Sequence, residues 1–400
     1  MSDILDYLKE KQDNMLATLQ YIVEHESPTL DKLSVDALGV QLVRIFEELT
    51  GGRTAVIANE TYGDHIRGEW GEGEEQILLL AHFDTVWKKG DWPQPLIAVE
   101  QDILSGPGVF DMKGGLVQGI YAIHALHALG KKLKSRIVFL FTSDEELGSP
   151  TSRKLIEEEA QQSKYVLVLE PSIARTNAVK TSRKGVGMFR LEVVGNASHA
   201  GADHQAGKSA VEELARQITY LHSLTDYSLG TTVNVGVISG GSTINVVAAK
   251  AAADIDLRVT SQAEADRVIP LIMGIQPVTE GTQIVVTGGM NRPPMERTAE
   301  VGSMYEIARV IALEELNFEL AEGATGGASD GNFAAPLAPT IDGLGAVGDG
   351  AHAANEHLVI SQMPVRSALV AHLIEKLDEM KGDTGHGRRK QERLGAGAAE

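Results

Sequence analysis

Three apolar runs in this chain each end at side chains that can bind a divalent cation. The runs lie at residues 76–81, 136–142 and 164–169, and the residues that follow them include His82, Glu146 and Glu170. Short, continuous apolar runs are typical of strands that are buried on both faces of a parallel sheet. The carboxyl ends of such strands meet at one edge, where open α/β proteins bind their ligands. The sequence therefore predicts a metal site at this edge.

Two further candidate ligands lie in loops rich in glycine. Asp111 lies in the segment 105–115, and His352 lies in the segment 348–356. Imidazole and carboxylate without thiolate are the usual ligands of catalytic zinc, cobalt or manganese. Each of these residues alone has an ordinary explanation as a polar loop residue or a solvated helix start. Only their combination favours a metal site.

The composition excludes several classes of function. The 36 Lys and Arg against 55 Asp and Glu give a net charge of −19, which argues against nucleic acid or an anionic membrane as a partner. With no Cys, the chain has no disulfide, no thiolate zinc site and no thiol nucleophile. The amino-terminal residues show no apolar signal core, and no run reaches the ~18 apolar residues of a membrane span. We therefore expect a cytoplasmic protein.

The hydrophobic patterns predict two kinds of folded unit. Strand and helix patterns alternate up to about residue 172, as in an α/β layer. Between about 176 and 290 the strands alternate apolar and polar residues, which is typical of an antiparallel sheet with one exposed face. Their order with two helices suggests a ferredoxin-like α+β unit. We expect a catalytic domain of residues 1–176 plus 291–380, an inserted domain of residues 177–290 (the insert), and a flexible tail of residues 381–400.

Helices are predicted wherever apolar residues recur with helical spacing. Their expected ranges are 2–24, 33–50, 207–223, 262–273, 299–315 and 362–380.

A series of short motifs carries a resemblance to a known family. The strings AHFDTV, GPGVFDMKGG, TSDEELGS, VLEPS, SHAG, GGASDGN and GAHAANE occur in this order. They resemble the acetylornithine deacetylase, succinyl-diaminopimelate desuccinylase and glutamate carboxypeptidase (carboxypeptidase G-like) family of di-metal amidohydrolases, over residues 1 to about 380. The resemblance implies a mixed-sheet, zinc-peptidase-like catalytic domain. It also implies a homodimer that is joined through the insert.

The resemblance further implies how five side chains would hold two divalent ions, which we expect to be zinc, with cobalt or manganese as alternatives. Asp111 would bridge the two ions. His82 and Glu170 would complete the ligands of one ion, and Glu146 and His352 those of the other.

Two carboxylates would assist this centre. Asp84 would fix the tautomer of His82, which suits the His-x-Asp spacing. Glu145 would be the general base, although the residues alone leave open an exchange of roles between Glu145 and Glu146. The resemblance also implies a cis peptide bond between Asp111 and Met112.

Four positions are implied to contact the substrate. His199 would stabilise the tetrahedral oxyanion in the partner's active site, Asn245 would contact the substrate, and Arg258 would bind its free carboxylate. Gly327 belongs to a glycine-rich loop with main-chain donors suited to an anion. The alternatives are a surface histidine, a strand arginine paired with a neighbouring acid, and a plain turn.

The leading hypothesis is hydrolysis of an amide bond whose amine side carries a free α-carboxylate. The substrate would be a peptide ending in glutamate or a similar residue, or an N-acyl amino acid. One rival is a biosynthetic deacylase that acts on acetylornithine or succinyl-diaminopimelate. A phosphoesterase would need basic residues beside the ligands, where the ligand loops offer little beyond Lys113. A noncatalytic metal-binding relative is the remaining alternative.

Overall fold

A computed structural model describes residues 2–93 and 95–380, so the predicted flexible tail lies outside the described residues. Within this part of the chain the α-helices are α1 (Asp3–Glu10), α2 (Gln12–Glu24), α3 (Lys32–Thr50), α4 (Gly114–Ala128), α5 (Arg153–Gln162), α6 (Ala210–Ser223), α7 (Gln262–Met273), α8 (Ala299–Glu314), α9 (Gly331–Ala334) and α10 (Gln362–Glu379).

The strands of the first half are β1 (Arg53–Ile57), β2 (His65–Trp70), β3 (Glu75–His82), β4 (Ala98–Glu100), β5 (Ile103–Ser105), β6 (Ser135–Thr142), β7 (Tyr165–Val168), β8 (Val179–Arg183) and β9 (Gly185–Val194). Those of the second half are β10 (Thr232–Gly240), β11 (Lys250–Val259), β12 (Gln283–Arg292), β13 (Glu322–Thr325), β14 (Thr340–Ile341), β15 (Gly348–Asp349) and β16 (His357–Val359).

The largest sheet is mixed and has the strand order β1-β2-β6-β3-β7-β14. β6, β3 and β7 are parallel neighbours, whereas β2 pairs antiparallel with both β1 and β6. Both faces are covered, because Ile77 and Leu79 of β3 join one hydrophobic cluster while Leu78 and Leu80 join another. The three predicted strands and the mixed sheet are therefore confirmed.

The amino-terminal helix differs from the prediction. The expected helix over 2–24 is divided into α1 and α2 at Lys11, whose N–H bonds to the carbonyl oxygen of Leu8. The division lets α1 pack against α10 while α2 packs chiefly against α4. α3 follows its prediction closely, since Asp31 caps its first turn and Gly51, with φ of 67°, ends it.

Within the insert, β9, α6, β10, β11, α7 and β12 follow one another along the chain. The sheet order is β10-β11-β9-β12 with antiparallel pairing throughout, which is the ferredoxin-like arrangement. Apolar residues on one face of this sheet, such as Leu191 and Leu257, pack against Leu214 of α6 and Val268 of α7 in a separate hydrophobic cluster. The opposite face carries exposed residues, as the alternating sequence pattern predicts.

A second, smaller sheet has the order β15-β16-β5-β4. The chain leaves β5 for the loop that holds Asp111, and His352 lies in the loop between β15 and β16. Two candidate ligands from distant parts of the sequence thus come from one small sheet. No helix among residues 2–93 and 95–380 is long and apolar enough to cross a membrane.

Candidate metal centre

The three parallel strands deliver their polar residues to one edge of the large sheet. His82 is the last residue of β3, Glu145 and Glu146 lie in the short turn after β6, and Glu170 lies two residues after the end of β7. Because β3 lies between β6 and β7 in the sheet, these side chains meet in space. The sequence prediction of a common edge is confirmed.

Four interatomic distances define the cluster. His82 Nε2 lies 3.2 Å from Asp111 Oδ1 and 3.7 Å from Glu170 Oε1. His352 Nε2 lies 3.5 Å from Asp111 Oδ2 and 3.1 Å from Glu146 Oε2. The two carboxylate oxygens of Asp111 therefore face two different imidazoles. This is the arrangement that a bridging carboxylate between two ions needs.

Charge and burial in the cluster fit cations. Burial and the neighbouring Asp111 carboxylate raise the pKa of Glu170 to about 7, and burial likewise raises the pKa of Glu146. Hydrogen bonding to Glu146 raises the pKa of His352 to about 9. Glu146 Oε1 is buried and, among the described residues, has no hydrogen-bond partner. A divalent cation would satisfy this oxygen and remove the cost of crowding buried carboxylates.

Asp111 itself lies in an irregular turn, Val109–Lys113, that precedes α4. The peptide bond between Asp111 and Met112 is cis, so this detail of the prediction is confirmed. The turn is close to β7, since a Cβ added to Gly115 would lie 1.9 Å from the carbonyl oxygen of Leu169. Only glycine allows α4 to begin this close to the strand that leads to Glu170.

Asp84 supports the site at two points. The main-chain carbonyl oxygen of Asp84 lies 3.0 Å from His82 Nδ1, and its carboxylate Oδ1 lies 3.4 Å from the same nitrogen. The carboxylate also accepts the hydroxyl of Thr29 at 2.7 Å and the backbone N–H groups of Glu145 and Glu146 at 3.3 Å. Asp84 therefore lies where it can hold both the imidazole and the turn that carries Glu145.

Glu145 is buried beside an arginine that the sequence reasoning did not single out. Arg292 Nη1 lies 2.8 Å from Glu145 Oε1, and Arg292 Nη2 lies 3.5 Å from Asp330 Oδ1. Burial raises the pKa of the Glu145 carboxyl well above its usual range, and the Arg292 guanidinium opposes this rise. The side chain has an environment that could tune a general base.

A second buried arginine was also missed. Arg183 Nε lies 2.7 Å from Asp342 Oδ2, and Arg183 Nη2 lies 3.3 Å from Glu170 Oε2. Its Nη1 also donates to the carbonyl oxygen of Gly327 at 3.2 Å. Arg183 ends β8, whose other residues are mostly polar, so no local pattern marks it as a buried charge. Its main partner, Asp342, lies 159 residues away in sequence.

The proposed substrate residues lie in two groups. His199 and Asn245 are exposed neighbours in the insert, where the N–H of Ala200 donates to the carbonyl oxygen of Asn245 at 2.9 Å. Arg258 forms a two-point ion pair with Asp256, at 2.9 Å and 3.0 Å, and its Nη1 reaches the Gly326 carbonyl oxygen at 3.5 Å. Arg258 thus has the acidic neighbour that the sequence alternative described. No contact among the described residues joins His199 or Asn245 to the five candidate ligands.

A family model described as peptidase family M20/M25/M40 matches residues 78–376. The chain belongs to this family. Carboxypeptidase G2 from Pseudomonas sp. (strain RS-16) is 30% identical over 380 residues, which are 92% of this chain and 90% of that protein. Acetylornithine deacetylase from Myxococcus xanthus is 32% identical over 194 residues, which are 46% of this chain and 49% of that protein. The predicted resemblance is confirmed, and this M20 protein is a metal-dependent peptidase-family hydrolase.

Solved M20 structures share the fold. The M20 family metallo-carboxypeptidase Sso-CP2 from Sulfolobus solfataricus matches with a TM-score of 0.71 and 16% identity, covering 92% of this chain and 99% of its own. A dinuclear metal binding M20 peptidase from Bacillus subtilis matches with a TM-score of 0.72 and 15% identity, covering 93% and 99%. At these identities the likeness establishes the architecture, and the α/β fold prediction is confirmed.

Proposed function

We propose that this M20 protein hydrolyses an amide bond whose amine side carries a free α-carboxylate, using two divalent metal ions. The observation that carries this proposal is the position of Asp111, whose two carboxylate oxygens face the imidazoles of His82 and His352. Zinc is the expected metal, with cobalt or manganese as alternatives, because the ligand set is imidazole and carboxylate.

The ligands would divide between the two ions. His82 and Glu170 lie on the Oδ1 side of Asp111, and Glu146 and His352 lie on its Oδ2 side. Two bound divalent ions supply Lewis acidity and lower the pKa of water. The protein would supply their fixed spacing and a largely buried environment.

Glu145 would take a proton from the attacking water and pass it to the leaving amine. Its burial, its place directly before the ligand Glu146 and its ion pair with Arg292 support this role. Replacing Glu145 with Gln keeps the side-chain size and removes the base. We expect loss of turnover with unchanged metal stoichiometry, and surviving activity would contradict the assignment.

Substrate recognition is proposed for Arg258, Asn245 and the loop at Gly327. The Arg258 guanidinium would exchange Asp256 for the free carboxylate of the substrate, because a planar fork binds carboxylates at two points. Arg258→Met should raise KM for substrates with a free α-carboxylate. Substrates whose carboxylate is amidated are the control and should be hydrolysed equally by both proteins.

His199 has the tautomer that an oxyanion donor needs. Its Nδ1 accepts the backbone N–H groups of Gly201 and Ala202 at 3.1 Å and 3.0 Å. The proton of the neutral ring therefore lies on Nε2, which is left to donate to a negatively charged oxygen. In a dimer His199 would be offered to the partner's site.

A homodimer through the insert is supported by an exposed apolar edge. β10 is an edge strand, and its Val237 and Ile238 are 60% and 64% exposed. An exposed edge strand with apolar residues favours pairing with another chain. Ile238→Glu should give monomers in analytical ultracentrifugation, whereas Val285→Glu on the other edge strand should not. A fully active wild-type monomer would remove this proposal.

The choice among amide substrates follows the extent of similarity. The likeness to carboxypeptidase G2 spans 92% of this chain at 30% identity, whereas that to acetylornithine deacetylase spans 46% of it. The likeness to succinyl-diaminopimelate desuccinylase from Beijerinckia indica spans 78% of this chain at 26% identity. We therefore favour a glutamate-type carboxypeptidase or an N-acyl-amino-acid deacylase over a biosynthetic deacylase. Hydrolysis rates for a panel of dipeptides and N-acyl amino acids, measured with and without chelator, test this choice. Hydrolysis of N-acetylornithine alone would reverse it. A cytoplasmic location remains a prediction that cell fractionation would test.

A further inference from the structure

Glu356 is a buried carboxylate that accepts four N–H groups close to the metal centre. Its Oε1 accepts the backbone N–H groups of Phe110 and Asp111, both at 3.0 Å. Its Oε2 accepts the backbone N–H of Gly108 at 3.2 Å and the indole N–H of Trp87 at 2.9 Å. Only 1% of Glu356 is exposed, so these donors take the place of water around its charge.

These contacts join three separate loops. Trp87 lies in the loop that follows His82, and the three backbone donors lie in the loop that leads to Asp111. Glu356 itself lies four residues after His352, in the loop between β15 and β16. One carboxylate therefore connects the two loops that carry Asp111 and His352 with the loop that directly follows His82.

The position of the Asp111 backbone decides where its carboxylate can reach. The side chain must present one oxygen to the His82 side and the other to the His352 side, at 3.2 Å and 3.5 Å from the two imidazoles. A functional site tolerates displacements of only about 0.5 Å. The N–H of Asp111 and that of the residue before it are both held by Glu356, so the turn has little freedom to move.

The geometry points to Glu356 as a positioning residue of the metal centre, which holds the Asp111 backbone so that its carboxylate reaches both cations. This inference rests on the proposed function, because it places the cations at Asp111. Groups that orient metal ligands typically change metal affinity or activity by about 10–100-fold when they are replaced. Glu356 would act by accepting the backbone N–H of the ligand Asp111, without itself contacting a cation.

The competing explanation is that Glu356 only satisfies buried N–H groups and stabilises the fold. The chain offers a matched control for that explanation. Asp378 of α10 is 5% exposed and accepts the backbone N–H groups of Lys134 and Ser135 at 2.9 Å and 2.7 Å. Lys134 directly precedes β6 and Ser135 begins it, whereas the proposed ligand Glu146 follows the other end of this strand. The control carboxylate therefore has the same type of contact away from the metal centre.

The test is a cobalt titration of the metal-free full-length protein, followed by visible absorption, for wild type, Glu356→Gln and Asp378→Asn. Gln keeps the size of the side chain but must turn its amide nitrogen toward one pair of N–H donors. We expect Glu356→Gln to bind cobalt about 10–100-fold more weakly and with an altered spectrum. Asp378→Asn should bind cobalt as wild type does, even if its unfolding midpoint is lower.

Wild-type cobalt affinity and spectrum in Glu356→Gln would overturn the positioning role, and so would an equal loss of affinity in Asp378→Asn. If Glu356→Gln does not fold, Trp87→Phe decides the question, because it removes one donor to the carboxylate. We expect that variant to lose about two- to tenfold in cobalt affinity, the effect of one hydrogen bond, and wild-type affinity would overturn the role. A wild-type protein that binds no cobalt would instead overturn the proposed function, and this inference with it.

Discussion

The buried arginine beside Glu170 allows a stability prediction with a magnitude. Arg183 donates to both carboxylate oxygens of Asp342, at 2.7 Å and 3.0 Å, and to Glu170 at 3.3 Å. Asp342 is completely buried, and Ser329 and the Gly343 N–H are its other donors. Arg183→Met leaves this charge without its cation. Removing one partner of a buried ion pair costs about 3–5 kcal/mol, which is the loss we expect in the free energy of unfolding.

Urea unfolding of the metal-free protein measures this loss, and a surface arginine provides the control. Arg190 also pairs with two carboxylates, those of Glu192 and Asp254 at 3.0 Å and 2.8 Å, but it is about half exposed. Arg190→Met should leave the urea midpoint close to that of wild type, because an exposed ion pair contributes little to stability. Equal losses in the two variants would refute the reasoning. Combining Arg183→Met with Asp342→Asn should cost less than the sum of the two single changes, because the residues interact directly.

Three further predictions concern pH and packing. Burial raises the pKa of Glu145, and Arg292 opposes that rise. Arg292→Met should therefore move the acidic limb of the plot of kcat/KM against pH to higher pH. An acidic limb that does not move would contradict the pairing of Arg292 with Glu145 as the base. In the metal-free protein the pKa of His352 is raised to about 9 from its usual 6.5, so its stabilising contribution is complete below pH 6.5 and is lost as the pH rises through about 9. His352→Gln should flatten that part of the curve of unfolding free energy against pH, and an unchanged slope would count against it. Gly115→Ala should lower the free energy of unfolding by about 1–3 kcal/mol, because the added Cβ would lie 1.9 Å from the carbonyl oxygen of Leu169, directly after β7. Gly327→Ala is the control: its Cβ would have no atom within 4 Å, so this variant should unfold at the wild-type urea midpoint.

Strand positions and the shared sheet edge could be predicted from the sequence because both depend on local patterns. Continuous apolar residues predict β3, β6 and β7, and alternating apolar and polar residues predict β9 and β11. Because β3, β6 and β7 pair in parallel, the residues that follow them lie at one edge of the sheet, and this follows from the strand pattern alone. The division at Lys11 could not be predicted in this way, because the apolar spacing continues through it and the packing of α1 against α10 decides it.

The candidate ligands could be named from motifs, whereas the buried charges around them could not. Arg183 meets Asp342 across 159 residues of sequence, and Arg292 meets Glu145 across 147. Nothing local distinguishes such residues from exposed charges, since their pairing depends on the tertiary fold. Glu356 lies inside the GAHAANE motif, yet its role becomes visible only through the backbone groups it contacts.

The bridging position of Asp111 is tested most directly by counting metal ions. Wild type, Asp111→Asn and the surface control Asp254→Asn would be dialysed against buffered zinc and analysed by mass spectrometry. We expect two ions per chain in wild type and in the control. Asp111→Asn should hold fewer than one, because both ions lose a shared ligand. Two ions retained in Asp111→Asn would contradict a metal centre built on this carboxylate.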